Sequence, residues 1–107
     1  MSTEYLVLRL YAMNKFKELI VWQKSRLLVK QIYEMTANFP DEEKYGLISQ
    51  IRRASISIPS NIAEGCGKNS DKEFIRFLEI ANSSCYEIET QIIISQDLGF
   101  MNKILIL

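Results

Sequence analysis

Histidine is absent from this 107-residue chain, cysteine and proline each occur twice, and glycine occurs four times. Each scarcity excludes something. Without histidine the common proton shuttle of neutral pH is gone, and with it the usual nucleophile triads and the zinc-protease motifs. A helical ribonuclease whose signature sets an arginine a few residues before a histidine is excluded on the same ground. Cys66 and Cys85 are too far apart in sequence for a metal knuckle. A bond between them is not expected, because Cys66 lies at a turn and Cys85 about 20 Å along the following helix. Gly65-Cys66-Gly67 ends a helical pattern instead of following a strand, so no phosphate-cradling loop is present. The expectation is a protein with no catalytic residue, cofactor or metal. A carboxylate site around Glu64, Glu87 and Glu89 is the weak enzymatic alternative.

Net charge is missing too, since thirteen Lys and Arg balance thirteen Asp and Glu. A nucleic-acid or anionic-membrane surface would have to come from local clustering or from oligomerisation. No apolar run is long enough to span a bilayer, and Arg9 interrupts the short apolar opening STEYLVLRLYA. A reduced, cytoplasmic protein without a membrane partner is expected. Turn signals do not recur every ten residues, which argues against a β-sandwich.

Apolar residues recur instead at helical intervals. Leu28, Ile32, Met35 and Phe39 form one stripe, with Leu19 and Trp22 one to two turns earlier, so a first helix is expected from Phe16 to Phe39. Pro40 ends it, and Asp41, Glu42 and Glu43 put negative charge at the start of a second. Leu47, Ile51, Ala54, Ile58 and Ile62 continue in steps of four, three, four and four. Gly65 and Gly67 suit a left-handed C-terminus, and Ser70 with Glu73 resembles a capping box. The third helix then carries Phe74, Phe77, Leu78, Ala81, Cys85, Ile88 and Ile92 and stops near Gly99. Matched lengths and a short connection make helices two and three an antiparallel hairpin.

Pro59 interrupts the second stripe. A true break would leave only Asn61 to Glu64 beyond it, too short to persist as a helix, so one helix kinked at Pro59 is preferred. Asn61 is expected to bond a freed carbonyl near the proline, and Glu64 to pair with Lys72 or Arg76.

The segments FKELIVWQKS, FPDEEKYGLISQIRRASISIPSNIAEG, FIRFLEIANSSCYEIETQ and DLGF resemble the bacterial proteins encoded by intervening sequences within 23S ribosomal RNA genes. The likeness runs from about Phe16 to Phe100. It implies an all-α, antiparallel up-down four-helix bundle that assembles into homopentameric rings. A related branch, the accessory variability proteins of diversity-generating retroelements, works with a reverse transcriptase and binds nucleic acid. For the intervening-sequence branch the resemblance implies no established activity, which leaves a homo-oligomeric scaffold associated with RNA or an RNA-processing protein, or a purely structural oligomer or adaptor. Against the family pattern, residues 1–12 are an N-terminal extension, 13–107 form the bundle, and the fourth helix is short or truncated. The groove so opened is covered by the extension, by a neighbouring subunit, or not at all in a truncated frame.

The nucleic-acid or interface candidates are Arg52 and Arg53, with Lys24, Arg26 and Lys30 on helix one and Lys72 and Arg76 on helix three. Carboxylate partners from Glu79, Glu87 and Glu89 are the competing use of the two arginines. Pro59, Asn61, Glu64 and Trp22 are read as structural, Cys85 as a small core residue, and most tyrosines as core or interface.

Overall fold

The computed structural model describes residues 15–102, together with Thr3 and Glu4. Across residues 15–102 there are three α-helices and no strand: α1 (Ile20–Thr36), α2 (Leu47–Cys66) and α3 (Asp71–Asp97). Short 3₁₀ turns, Lys15–Glu18 and Asp41–Glu43, precede α1 and α2. The described residues are therefore all-α. Phe100, Met101 and Asn102 are not helical, and the expected extension over residues 1–12 and the rest of the short C-terminus lie outside the described residues apart from Thr3 and Glu4.

Helix ends follow local chemistry. The first helix begins later than its periodicity suggests, at Ile20, because Lys15–Glu18 is wound more tightly. Asp41 to Glu43 do not open α2 directly, yet the Glu43 carboxylate reaches forward to accept from the Leu47 N–H at 3.4 Å. That places charge at the positive end of the helix, as expected. Ser70 caps α3 by accepting from the Glu73 N–H at 3.2 Å. The Glu73 side chain turns instead to Arg76, so only half of the capping box is made.

α2 is the centre of the structure, with α1 and α3 each packed on it. Ile51, Ala54, Ile58 and Ile62 present the ridge that meets Ile32 from α1 and Ala81, Ile88 and Ile92 from α3. Trp22, Leu28, Met35 and Leu78 pack around that cluster. α2 runs unbroken through Pro59, which settles helix against break. The Asn61 amide donates to the Ser57 carbonyl at 2.8 Å and to its hydroxyl at 2.9 Å. Its acceptor is thus one turn back from Asn61 and not the Ser55 carbonyl that the proline deprives of a donor. Ser57 in turn shares a hydrogen bond with Ser84 of α3 at 2.9 Å, so a polar seam ties the two long helices beside the apolar one.

Two glycines behave differently from expectation. Gly65 is inside α2, not at a left-handed terminus, and Gly67 caps the helix in the right-handed region. Among the described residues only Gly99 has a positive φ, 76°. Gly65 is needed for space: a Cβ there would lie 2.9 Å from the Phe77 Cβ and 3.3 Å from the Phe74 carbonyl.

One buried polar atom is unmatched. Gln91 donates to Glu87 at 3.3 Å, while its Oε1 has no partner. An orphaned acceptor costs about 1–3 kcal/mol, and an apolar replacement of like shape removes that cost. Gln91→Met is therefore expected to raise stability by about 1 kcal/mol, measured by chemical denaturation. A lower midpoint would mean that the amide is held by something it needs.

Candidate nucleic-acid interface

The two adjacent arginines point to different surroundings because neighbouring helix positions are about 100° apart. Arg52 turns toward α1. Its Nε donates to Thr36 Oγ1 at 2.8 Å, its Nη2 to the Tyr33 carbonyl at 3.3 Å, and its guanidinium lies 4.4 Å from the Tyr33 ring centroid. Thr36 is itself buried and bonds the Ile32 carbonyl at 2.7 Å. Arg52 is thus a tie between α1 and α2, with a planar cation stacked on an aromatic face. Arg53 is exposed and makes no ion pair among the described residues. The carboxylate partners expected for this pair from Glu79, Glu87 or Glu89 are not the ones observed. α3 packs on the other side of α2, and Arg52 finds its acceptors on α1.

Beside this tie is an open groove of about 510 Å³. Arg52, Arg53 and Lys44 supply its charge, Tyr33 and Tyr45 its rings, and Ile48 and Ile56 its apolar floor. No carboxylate lines it. Lys44 lies 5.6 Å from the Tyr45 centroid, and Tyr45 is 89% exposed. The preceding acidic turn does not neutralise the groove through Glu43, whose carboxylate is occupied at the start of α2. Cations that fork onto phosphate, interleaved with rings that stack on bases, are what a single-stranded nucleic acid requires.

The other basic candidates are not gathered here. Arg26 and Lys30 line a separate cleft on α1, and Lys24 is exposed on that helix. Arg26 also lies 5.1 Å from the Trp22 ring centroid. Trp22 is half-buried against the core and meets Phe16 edge to face at 5.1 Å. Lys72 and Arg76 line a third cleft on α3. Arg76 pairs with Glu73 at 3.4 Å, an exposed i,i+3 contact worth little. The pairing expected of Glu64 with Lys72 or Arg76 is not made.

Lys44 carried no functional signal in the sequence, and Tyr45 only that of one ring among several able to stack on a base. Their adjacency to Arg52 and Arg53 depends on the turn of chain from α1 into α2. Of the two uses expected for the tyrosines, core does not apply to Tyr33, Tyr45 or Tyr86, which are all exposed in the single chain. Cys85 is exposed as well, and Cys66 is half-buried; neither is in a disulfide. Partial withdrawal from water pushes both thiols above their ordinary range, the opposite of an activated nucleophile. Among the described residues no three acidic or cysteine side chains converge as a metal site would need, and no helix is long and apolar enough to cross a membrane.

Compared with models of protein families, residues 17–105 match the 23S rRNA-intervening sequence protein. No curated protein matches the chain.

Proposed function

The chain belongs to the 23S rRNA-intervening sequence protein family, and from that premise we propose that it is a non-catalytic scaffold that assembles with copies of itself and holds RNA. In this reading α1, α2 and α3 are three members of an up-down four-helix bundle, with α2 bent at Pro59. The fourth position is filled by the N-terminal extension, the short C-terminal segment or a neighbouring subunit. The copies form a ring, of five by family resemblance, in the bacterial cytoplasm. Large apolar side chains left on the surface, Ile20, Leu27, Ile75 and Ile93 among them, support self-assembly, because soluble monomers rarely expose so much.

The observation that carries the RNA reading is the groove between α1 and α2, with three cations, two tyrosines and no lining carboxylate. A ring repeats that groove, so weak contacts act together on one polyanion. This is how a chain of zero net charge engages RNA or an RNA-bound processing protein.

Arg53 and Tyr45 are the clean probes, since Arg52 also holds α1 to α2. Fluorescence anisotropy with single-stranded ribosomal RNA fragments is expected to show binding that weakens steeply with salt. Arg53→Ala should lower the slope of log K against log salt by about 0.7, one phosphate contact on a single strand. Tyr45→Ala should cost about 1–3 kcal/mol with little change in slope, as expected for a lost stack. Absence of binding at low salt would overturn the RNA reading. It would leave the structural oligomer or protein adaptor, which the balance of thirteen bases and thirteen acids favours.

A further inference from the structure

The exposed side of α3 carries a pattern that the core does not use. Ile75, Glu79, Asn82, Tyr86, Glu89 and Ile93 recur in steps of four, three, four, three and four, and all are exposed. They form one outward stripe, about 27 Å long, roughly opposite the buried one. Ile75, Tyr86 and Ile93 are each more than half exposed, at 52%, 65% and 51%. Charge on this helix is segregated as well. From Phe77 to Asn102 the chain has Glu79, Glu87, Glu89 and Asp97 and neither lysine nor arginine.

α1 has the opposite character. Lys24, Arg26 and Lys30 are exposed along it, with Glu34 its one acid. Leu27, 61% exposed, lies with Gln23, Arg26 and Lys30 in an open cleft of about 390 Å³. The helix is about 26 Å long, matching the α3 stripe.

We propose that the outward stripe of α3 in one copy docks on the exposed basic face of α1 in a second copy. Tyr86 enters the cleft beside Leu27, and Glu79 and Glu89 face Lys24 and Lys30. This rests on the self-assembly proposed above and names the surfaces that perform it. Complementarity selects the occupant. Lys72 and Arg76 flank the stripe only at its Ile75 end; from Glu79 onward the α3 face repels a polyanion and an anionic membrane alike, and an apolar stripe edged by acids matches an apolar cleft edged by bases. Both faces are on every copy, so the partner is always present. The two faces differ, which makes the contact heterologous. Each copy then makes two such contacts, and the assembly closes as a ring or grows as a filament. No residue of the Tyr33–Arg53 groove belongs to either face, so assembly leaves the RNA groove free.

Light scattering on the full chain tests this. The unmodified protein is expected to elute as a multimer. Glu79→Lys with Glu89→Lys, and separately Lys24→Glu with Lys30→Glu, are each expected to shift the mass to the 12.4 kDa monomer. Combining all four substitutions in one chain should restore the multimer. Circular dichroism confirms that helicity is kept, and Tyr86→Ser, which changes no charge, gives a second, independent dissociation. If the unmodified protein is a multimer and the reversals leave it so, or disperse it without rescue by the fourfold variant, the proposed interface is overturned while self-assembly stands. A monomeric unmodified protein overturns both.

Discussion

Truncating Ile51 to alanine is expected to remove about 2–5 kcal/mol of stability, the range for deleting a buried aliphatic side chain when the surroundings collapse only in part. Ile51 is 0% exposed and belongs to the cluster that joins all three helices through Ile32, Ile58 and Ile88. Its loss therefore loosens both contacts that α2 makes. A domain of this size has a total stability of about 5–15 kcal/mol, so one substitution removes a large part of it. The unfolding midpoint should fall by roughly 8–20 °C at about 4 °C per kcal/mol. Thermal denaturation followed by circular dichroism checks this at constant protein concentration, because self-association would make the midpoint concentration-dependent. A shift of only a few degrees would mean that the cavity refills, or that this cluster is not the core.

The second large effect is at Gly65. Replacement by alanine ordinarily stabilises a helix interior by about 1 kcal/mol, so propensity alone gives the wrong sign here. The new Cβ would lie 2.9 Å from the Phe77 Cβ, an atom fixed to the α3 backbone, and 3.3 Å from the Phe74 carbonyl. Neither can swing aside, and α2 and α3 must separate at the end where they are joined. Overpacking of this kind costs about 1–3 kcal/mol, so Gly65→Ala is expected to be destabilising on balance. Gly65→Leu should be worse and approach loss of the hairpin. Paired urea titrations of Gly65→Ala and Gly67→Ala provide the comparison. Equal effects at the two sites would show that packing against Phe77 is not what selects glycine.

Much of the architecture was legible along the chain. The Ile51–Ile58–Ile62 ridge, the Ser70 cap and the stop near Gly99 all follow from spacing and from residues with few backbone options, whereas α1 ends at Thr36, a turn before the stop expected at Pro40. Even the helix through Pro59 followed, since the stripe resumes in phase at Ile62 and the remainder is too short to stand alone. The candidate site was only half legible. Arg52 and Arg53 were visible as cations at adjacent positions, but the partner of Arg52 was sought on α3, because carboxylates are there. It is on α1, where Thr36 and the Tyr33 carbonyl supply neutral acceptors. Lys44 and Tyr45 were hidden because a turn, not a helix face, brings them alongside.

By itself the sequence determined that there are three helices, roughly where each lies and which stripe of each is apolar. Those properties arise within a turn or two of chain, from side-chain periodicity and from the restricted backbones of proline, glycine and capping residues. Tertiary structure alone decided what each stripe meets. It made Gly65 a contact point instead of a left-handed cap, left Cys85 and three tyrosines in the open, and gave Arg52 to α1. Periodicity fixes an angle around one helix axis, whereas contact depends on the direction and distance of the next helix, which no single stripe contains.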